Sequence, residues 1–298
     1  MVADSVRSAI QREFVSRFIP VTLVGEQPEW AAKEIERHVD GRFNEFQQEH
    51  IPWLEVGGTL AGCEVLEIGC GTGSSTAALC LAGAKVHAID MDAKSVEFAA
   101  LRCELMELNT ADFAVMNATE IASIGRAFDR VLFYAAFEHM THVERKRALG
   151  AAWQMVKPGG IVAIVEAPNR LWHFDEHTTL TPFFHWLPDE LAIDYLSIAE
   201  SHVQHVFAKP ELRDRETLAR LGRGVSYHDL EVAIGRVAAL EVLPGLMDHR
   251  RTRDPKLDVW WAEAPDPDPT YHRLLRGFVP ALPSAFFYPW FDVMVRRE

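Results

Sequence analysis

The chain has 298 residues, which suits two average domains or one domain with large additions. Apolar residues make up 48% of the sequence and aromatic residues 10%, so a sizeable core is available and intrinsic disorder is excluded as the main state. The 43 acidic and 30 basic residues give a net charge of −13 with neutral histidines. Nucleic acid is therefore not expected as a partner, because sequence-independent binding needs many lysines and arginines.

Targeting segments and disulfides are not expected either. Residues 1–10 lack the apolar centre of a signal peptide, and no stretch approaches the ~20 apolar residues of a membrane helix. The four cysteines lie between residues 63 and 103 without Cys-x-x-Cys spacing, which is typical of reduced core thiols. These features predict a cytoplasmic protein without a membrane partner.

Helical patterns dominate residues 1–60. Between Gln27 and Phe46, apolar residues recur at steps of three to five, which predicts a helix with one apolar stripe. Such a helix could cover an active site, cap a sheet or pair with a second copy of the chain. The sequence therefore predicts an N-terminal helical cap and leaves a homodimer open.

Short apolar runs alternate with helical patterns from residue 63 onward. The predicted strands cover residues 65–68, 85–90, 128–133 and 161–165, and the predicted helices cover residues 74–82, 93–108 and 143–156. This alternation predicts parallel strands joined by crossover helices, with ligands bound at the carboxyl ends of the strands.

The regular alternation ends after Pro168. Residues 168–190 are rich in aromatic residues, histidine and proline and are predicted to form a long ordered loop with a function. Further predicted elements are helices at 189–200, 213–221 and from the N-cap Ser226 to about 234, and strands at 237–243 and 286–295. An insertion is expected at about 244–285, with a turn at residues 266–269 and with Trp260 and Trp261 in the core.

The strongest motif is a glycine-rich turn, Glu67-Ile68-Gly69-Cys70-Gly71-Thr72-Gly73. Alternating glycines let the backbone turn sharply and approach a ligand, and the following helix start offers free amide groups. Asp90 ends the next predicted strand, where its carboxylate can accept hydrogen bonds from both hydroxyls of a ribose. Ser74 stands where the dinucleotide fingerprint needs glycine, and no Walker lysine follows the turn.

The glycine-rich turn resembles the first motif of class I S-adenosylmethionine-dependent methyltransferases. Asp90 and Met91 resemble that family's ribose-binding acid and adenine-flanking residue, and Asn117-Ala118 sits where the family commonly has an Asp-Ala pair. Residues 128–140 resemble the fourth strand with its exit loop, and residues 157–160 resemble the turn before strand five. The resemblance covers about residues 61–167.

The resemblance implies a Rossmann-like α/β fold with helices on both faces of a mostly parallel seven-stranded sheet. It implies a helical cap (1–60) and a methyltransferase domain (61–298) with a cofactor core (61–167). It also implies S-adenosylmethionine as the cofactor. The residues expected to bind it are Glu67, Gly69, Cys70, Gly71, Gly73, Asp90, Met91, Asn117 and Ala118.

Methyl transfer from a sulfonium to a hydroxyl needs an aligned acceptor and a group that removes the proton. Candidate bases near the strand ends are His139, Asp175 and His177. The alternatives are a structural pair of Glu138 with His139 and a buried network that pins the loop. Some metal-dependent methyltransferases have Glu-x-x-Glu-His at this place, but Ala135 replaces the first glutamate, so no metal is expected.

Bulky side chains of the loop are candidates for contact with the acceptor. Trp172, His173 and Trp186 could stack on it, although packing is the simpler reading. The loop resembles one in bacterial methyltransferases of cell-surface glycan or secondary-metabolite pathways. The sequence therefore predicts methylation of a hydroxyl on a small molecule, a sugar or metabolite precursor. N-methylation, and a cofactor-binding protein without methyl transfer, stay open as alternatives.

Overall fold

A seven-stranded sheet organises the described part of the chain, which comprises residues 3–20, 27–199, 203–253 and 269–298 of a computed structural model. The strands are β1 Glu64–Ile68, β2 Lys85–Asp90, β3 Ala111–Val115, β4 Phe128–Tyr134, β5 Val156–Val165, β6 Glu241–Val242 and β7 Val293–Arg296. Their order across the sheet is β3-β2-β1-β4-β5-β7-β6; β7 runs antiparallel to both β5 and β6, and the other neighbouring pairs are parallel. This confirms the predicted fold class.

Alternate residues of the central strands enter two different cores. Leu66, Val131 and Ile164 pack into one core, whereas Val65 and Leu132 pack into the other. Because both faces are covered, the strands are apolar throughout instead of alternating with polar residues. The sheet is therefore a rigid support whose carboxyl edge carries the site.

The helices that flank this sheet begin with a long N-terminal pair. Helix α1 spans Asp4–Phe18, and helix α2 begins at Pro28 and keeps helical backbone angles to Leu54. Two stretches of α2, Arg37–Gly41 and Phe46–His50, are π-helical. A π turn inserts an extra residue, which explains the irregular steps of the apolar stripe.

The other helices follow in chain order. They are α3 Ser74–Leu81, α4 Ala93–Leu105, α5 His142–Met155, α6 Asp189–Leu196, α7 Gln204–Phe207, α8 Arg215–Arg220, α9 Tyr227–Ala233, α10 Leu246–Arg253 and α11 Pro269–Phe278. Ser226 caps α9 together with Asp229, as predicted. No helix within the described ranges is long and apolar enough to cross a membrane.

The two late strands are shorter than predicted. Residues 237–239 form a 3-10 turn before β6, and Ser284–Phe287 form another before β7. Phe286 and Phe287 are both fully buried, so this aromatic run packs into the core on both sides and does not alternate like a strand. Trp260, Trp261 and most of the predicted turn lie at residues 254–268, outside the described ranges. The division into cap, core and insertion stays a prediction.

Candidate functional site

The glycine-rich turn connects β1 to α3 with left-handed backbone angles. Gly69, Gly71 and Gly73 have φ values of 87°, 47° and 74°. A Cβ at Gly73 would lie 2.7 Å from the Cα of Ala99, so close packing on α4 requires glycine there. A Cβ at Gly71 would meet no atom within 4 Å, so this glycine faces open space at the strand ends.

Glu67 is not in the walls of the cavities described below, and its assignment to cofactor binding stays a prediction. Its buried carboxylate accepts hydrogen bonds from the hydroxyls of Ser75 and Thr76 at the start of α3. Burial raises its pKa to about 7, although these two hydrogen bonds oppose the shift. Glu67 therefore fixes the glycine-rich turn by joining β1 to α3.

Asp90 lies beside the turn, at the end of β2. One carboxylate oxygen accepts a hydrogen bond from the amide of Gly71 at 2.9 Å, and the other accepts one from the amide of Asp92 at 3.0 Å. Each carboxylate oxygen has two lone pairs, so both oxygens retain an acceptor site. Met91 follows with its side chain 68% exposed beside the same space.

Asn117 follows β3 and holds the start of a 3-10 helix, Ala118–Ile124. Its side-chain oxygen accepts hydrogen bonds from the amide and the hydroxyl of Thr119, at 2.9 and 2.8 Å. The side-chain NH₂ group therefore stays available as a donor. Asn117 can serve a ring nitrogen of adenine better than an exocyclic amine, which is itself a donor.

Two adjoining cavities surround the glycine-rich turn. The first has a volume of about 370 Å³ and the second about 310 Å³. Of the expected cofactor-binding residues, the walls of the first contain Gly69, Gly71, Asp90, Met91, Asn117 and Ala118, and those of the second contain Gly69, Cys70 and Gly71. Gly73 packs on α4 instead.

Arg42 and Tyr134 line both cavities, and sequence reasoning missed both. The guanidinium carbon of Arg42 lies 5.8 Å from the centre of the Tyr134 ring. Arg42 follows the first π-helical stretch of α2, and Tyr134 is the last residue of β4. The expected cofactor carries an amino-acid carboxylate, which is stabilised by a neighbouring cation. That requirement was the one signal that could have pointed to an arginine of the cap helix.

His139 lies in the wall of the first cavity, in a 3-10 turn after β4. Its Nδ1 donates a hydrogen bond to the carbonyl oxygen of Arg220 at 2.8 Å, which assigns the ring proton to Nδ1 and the lone pair to Nε2. Burial lowers the pKa of His139, and the hydrogen bond to Arg220 opposes that shift. The ring is therefore neutral near pH 7 and can accept a proton at Nε2.

Glu138 is fully buried next to His139. Its Oε1 lies 3.5 Å from Nε2 of His139, and its Oε2 has no hydrogen-bond partner among the described residues. Burial raises the pKa of Glu138 to about 8, so the carboxyl group is protonated near neutral pH. A neutral carboxyl group therefore lies close to the imidazole of His139.

His177, from the loop after β5, lies beside Glu138 and His139. Its ring centre is 5.3 Å from that of His139, and one ligand atom each from Glu138, His139 and His177 lie within 4.8 Å of one another. These are residue types that bind metal ions. No metal was expected because Ala135 replaces one glutamate ligand. His177 provides a third ligand type from another part of the chain, so that reason no longer holds, and metal independence stays a prediction.

Asp175 is not placed to act as a base. Its buried carboxylate accepts hydrogen bonds from the amides of His177, Thr178 and Thr179, and it lies 3.2 Å from Nε2 of His185. Burial raises its pKa, but the nearby His185 and the hydrogen bonds from the amides outweigh this and hold the pKa below the usual range. This geometry corresponds to the alternative, a network that pins the loop.

The three candidates for acceptor contact are used in packing. Trp172 is 1% exposed and lies edge-on to Tyr271, and His173 lies 4.6 Å from the same ring. Trp186 is half exposed and donates from Nε1 to the carbonyl of Arg170. None of the three is in the walls of the two described cavities, and their assignment as substrate contacts stays a prediction.

An ion pair closes the far side of the first cavity. Arg220 forms two hydrogen bonds of 2.7 Å to the carboxylate of Glu144, and both residues line the cavity. The hydrogen bond from Arg220 is the main reason that the pKa of Glu144 falls to about 2. The pair attaches α8 to α5 and thereby fixes the carbonyl group that orients His139.

Comparisons with known proteins agree with this geometry. A family model described as a methyltransferase domain matches residues 65–160. The ubiquinone biosynthesis O-methyltransferase of Brucella ovis is 27% identical over 184 residues, which are 61% of this chain and 71% of that protein. The ubiquinone biosynthesis O-methyltransferase of Rhizobium etli is 32% identical over 105 residues, which are 35% of this chain and 41% of that protein.

Solved structures resemble part of the chain. An S-adenosylmethionine-dependent methyltransferase from Clostridium acetobutylicum aligns over 48% of this chain and 59% of its own, with 18% identity and a TM-score of 0.41. The sheet order, the glycine-rich turn and the family match define the class of protein. Residues 65–160 match a methyltransferase domain, and this match, the relatives and the sheet order support a class I S-adenosylmethionine-dependent methyltransferase with S-adenosylmethionine as its cofactor.

Proposed function

We propose that this enzyme transfers the methyl group of S-adenosylmethionine to a hydroxyl group of a small molecule. The observation that carries the proposal is the neutral imidazole of His139, held in the cavity wall with its lone pair on Nε2. A hydroxyl nucleophile must lose a proton during the transfer, whereas an amine needs less help from a base. A fixed, neutral base therefore favours oxygen over nitrogen as the acceptor atom.

The cofactor is proposed to follow the carboxyl edge of the sheet. The two acceptor sites left on Asp90 suit the ribose diol, and Met91, Asn117 and Ala118 border the adenine. The open side of Gly71 admits the methionine portion, whose carboxylate is expected to pair with Arg42. This orientation directs the sulfonium towards the part of the cavity that contains Tyr134 and His139.

The acceptor is proposed to enter beside His139. His139 takes the hydroxyl proton at Nε2, while the cofactor supplies the electrophilic methyl group. His177 and the Glu138 carboxyl group surround the same imidazole and support its proton exchange. The relatives whose names state O-methylation, at 27% and 32% identity, favour a hydroxyl acceptor, and the cytoplasmic location stays a prediction.

One assay separates O-methylation from N-methylation. The enzyme is incubated with methyl-labelled S-adenosylmethionine and 2-aminophenol, which offers both nucleophiles on one ring, and the products are separated by chromatography. We expect the label on oxygen, with S-adenosylhomocysteine formed in equal amount. Label on nitrogen would support the N-methyltransferase alternative. Cofactor binding by calorimetry without any transfer, over a panel of phenols, sugars and amines, would support a binding protein of the same fold.

A further inference from the structure

An arginine-lined cavity of about 240 Å³ lies next to the cofactor site. Met140 is in the walls of both this cavity and the larger cofactor cavity, so the two are neighbours. Arginines make up four of its eleven lining residues, although the whole chain carries a net charge of −13. The four are Arg145, Arg170, Arg215 and Arg223.

Two of these arginines are buried and held in fixed positions. Arg145 donates to the backbone carbonyl oxygens of Phe137, Glu138, Met140, Arg223 and Gly224. Arg223 donates to the carbonyl oxygens of Phe184 and Leu187. Carbonyl oxygens orient a guanidinium group without cancelling its charge, so positive charge is retained under the cavity.

The positive charges are close enough to repel one another. Burial lowers the pKa of both Arg145 and Arg223, and the charge of Arg170 lowers each of them further. Asp229 and Asp189 compensate in part, because Asp229 lies 3.8 Å from Arg145 and Asp189 lies 3.2 Å from Arg223. An anion placed among the three guanidinium groups would relieve this repulsion.

Arg170 has no side-chain hydrogen bond or ion pair within the described ranges. Its backbone is fixed nonetheless, because its amide donates to the carbonyl of Val225 and its carbonyl accepts from Trp186. The cavity wall contains two acidic residues, Asp189 and Glu216. Glu216 forms an ion pair with Arg220, which is not in this wall. Arg170 is therefore a positioned cation with donors left for a ligand.

We propose that this cavity binds an oxyanion, a phosphate or carboxylate, that is carried by the methyl acceptor. The shared wall at Met140 lets one molecule place its anionic group among the arginines and its nucleophile beside His139. The start of α5, whose residues Thr141 and His142 also line the cavity, adds the partial positive charge of a helix N-terminus. The link to the acceptor rests on the proposed function, whereas anion binding itself does not.

Binding is tested first with inorganic phosphate alone. Calorimetry with the full chain saturated with S-adenosylhomocysteine compares the wild type, Arg170→Met and Arg215→Met. We expect phosphate binding that weakens at least tenfold in Arg170→Met, which removes a partly exposed side chain that has no hydrogen-bond or ion-pair partner among the described residues. The control is Arg126→Met, which removes the same charge from an ion pair outside this cavity. No phosphate binding, or equal weakening by the control, would overturn the proposal.

A second arm decides whether the anion belongs to the acceptor. Turnover of 3,4-dihydroxybenzoate is compared with that of catechol, which differs by one carboxylate. We expect a KM at least tenfold lower for the carboxylate compound, a ratio close to one in Arg170→Met, and inhibition by phosphate that competes with the acceptor. Phosphate that binds without competing would show a free-ion site and overturn the acceptor link. Absence of all turnover with intact, Arg170-dependent phosphate binding would contradict the proposed function while leaving the anion site supported.

Discussion

The imidazole of His139 and the backbone carbonyl of Arg220 are joined by a 2.8 Å hydrogen bond, although the residues are 81 positions apart in the chain. This bond connects the exit loop of β4 to the end of α8. It fixes the tautomer of His139 from outside the cofactor core, so the part of the chain beyond the family match determines how the base is oriented.

Replacing His139 should affect chemistry more than cofactor binding. In His139→Gln we expect kcat to fall by about 10²- to 10⁴-fold, the range for loss of a general base, with the dissociation constant for S-adenosylhomocysteine nearly unchanged. Because burial lowers the pKa of His139, the acid limb of kcat/KM in the wild type should lie below pH 6.5. His228→Gln, which changes an exposed histidine outside the walls of these cavities, is the control; equal kcat in wild type and His139→Gln would exclude the base assignment.

Asp90 should contribute to binding the ribose. In Asp90→Ala we expect cofactor binding to weaken by roughly 1 to 3 kcal/mol, the order for losing charge-assisted hydrogen bonds. Asp90→Asn, which keeps one acceptor oxygen for the amide of Gly71, should show a smaller loss. Calorimetry with S-adenosylmethionine measures both, and Asp112→Asn serves as an exposed control. Unchanged affinity in Asp90→Ala would refute the ribose assignment.

The position of His177 can be changed without altering its side chain. A Cβ at Gly222 would lie 2.5 Å from the ring of His177, so Gly222→Ala must displace that ring. We expect kcat to fall while cofactor affinity stays the same. Gly125→Ala is the matched control, because Gly125 also has positive φ but a Cβ there meets only one backbone oxygen, at 3.9 Å. If both variants lose kcat equally, the effect is backbone strain and not the histidine.

Turnover should persist after divalent metal ions are removed. His139 can accept the proton without a metal, since its lone pair is on Nε2. We therefore expect the same kcat before and after dialysis against EDTA. A loss of activity that Mg²⁺ or Mn²⁺ restores, and that His177→Ala makes insensitive to added metal, would instead assign a metal to Glu138, His139 and His177.

The stability of the folded state should fall with rising pH because the buried carboxyl group of Glu67 must lose its proton. The pKa of Glu67 is raised by burial from 4.5 to about 7, so the folded state binds this proton more tightly than the unfolded state. The group's contribution is therefore full below pH 4.5 and is lost as the pH rises through 7. Glu67→Gln should flatten the fall in Tm between pH 5 and 8 for the ligand-free protein; an unchanged slope would contradict the shift.

Local sequence signals predicted the cofactor half of the molecule well. Strands β1, β2, β4 and β5, the glycine-rich turn and the Ser226 cap depend on hydrophobic period and turn chemistry, which neighbouring residues determine, whereas β3 was not predicted. Glu67 was assigned to the cofactor site because it belongs to the glycine-rich motif, and Asp175 was a candidate base because its loop follows strand five. Their actual partners, amides and hydroxyls of nearby turns, depend on side-chain directions that no spacing reveals.

Long-range contacts explain what sequence reasoning missed. Arg42 reaches the cavity because the π-helical stretches change which residues of α2 point towards the sheet. A π turn has no recognisable sequence pattern here. His177 reaches His139 because Asp175 folds the loop back on itself. The cavity next to Met140 is formed by residues from four separate segments, so its arginines show no pattern in the chain.

A crystal structure of the enzyme with S-adenosylhomocysteine tests the central claim most directly, because it needs no knowledge of the acceptor. We expect the ribose hydroxyls on the carboxylate of Asp90 and the sulfur facing the part of the cavity that contains His139 and Tyr134. A cofactor with its sulfur turned away from His139, or with its ribose away from Asp90, would contradict both assignments.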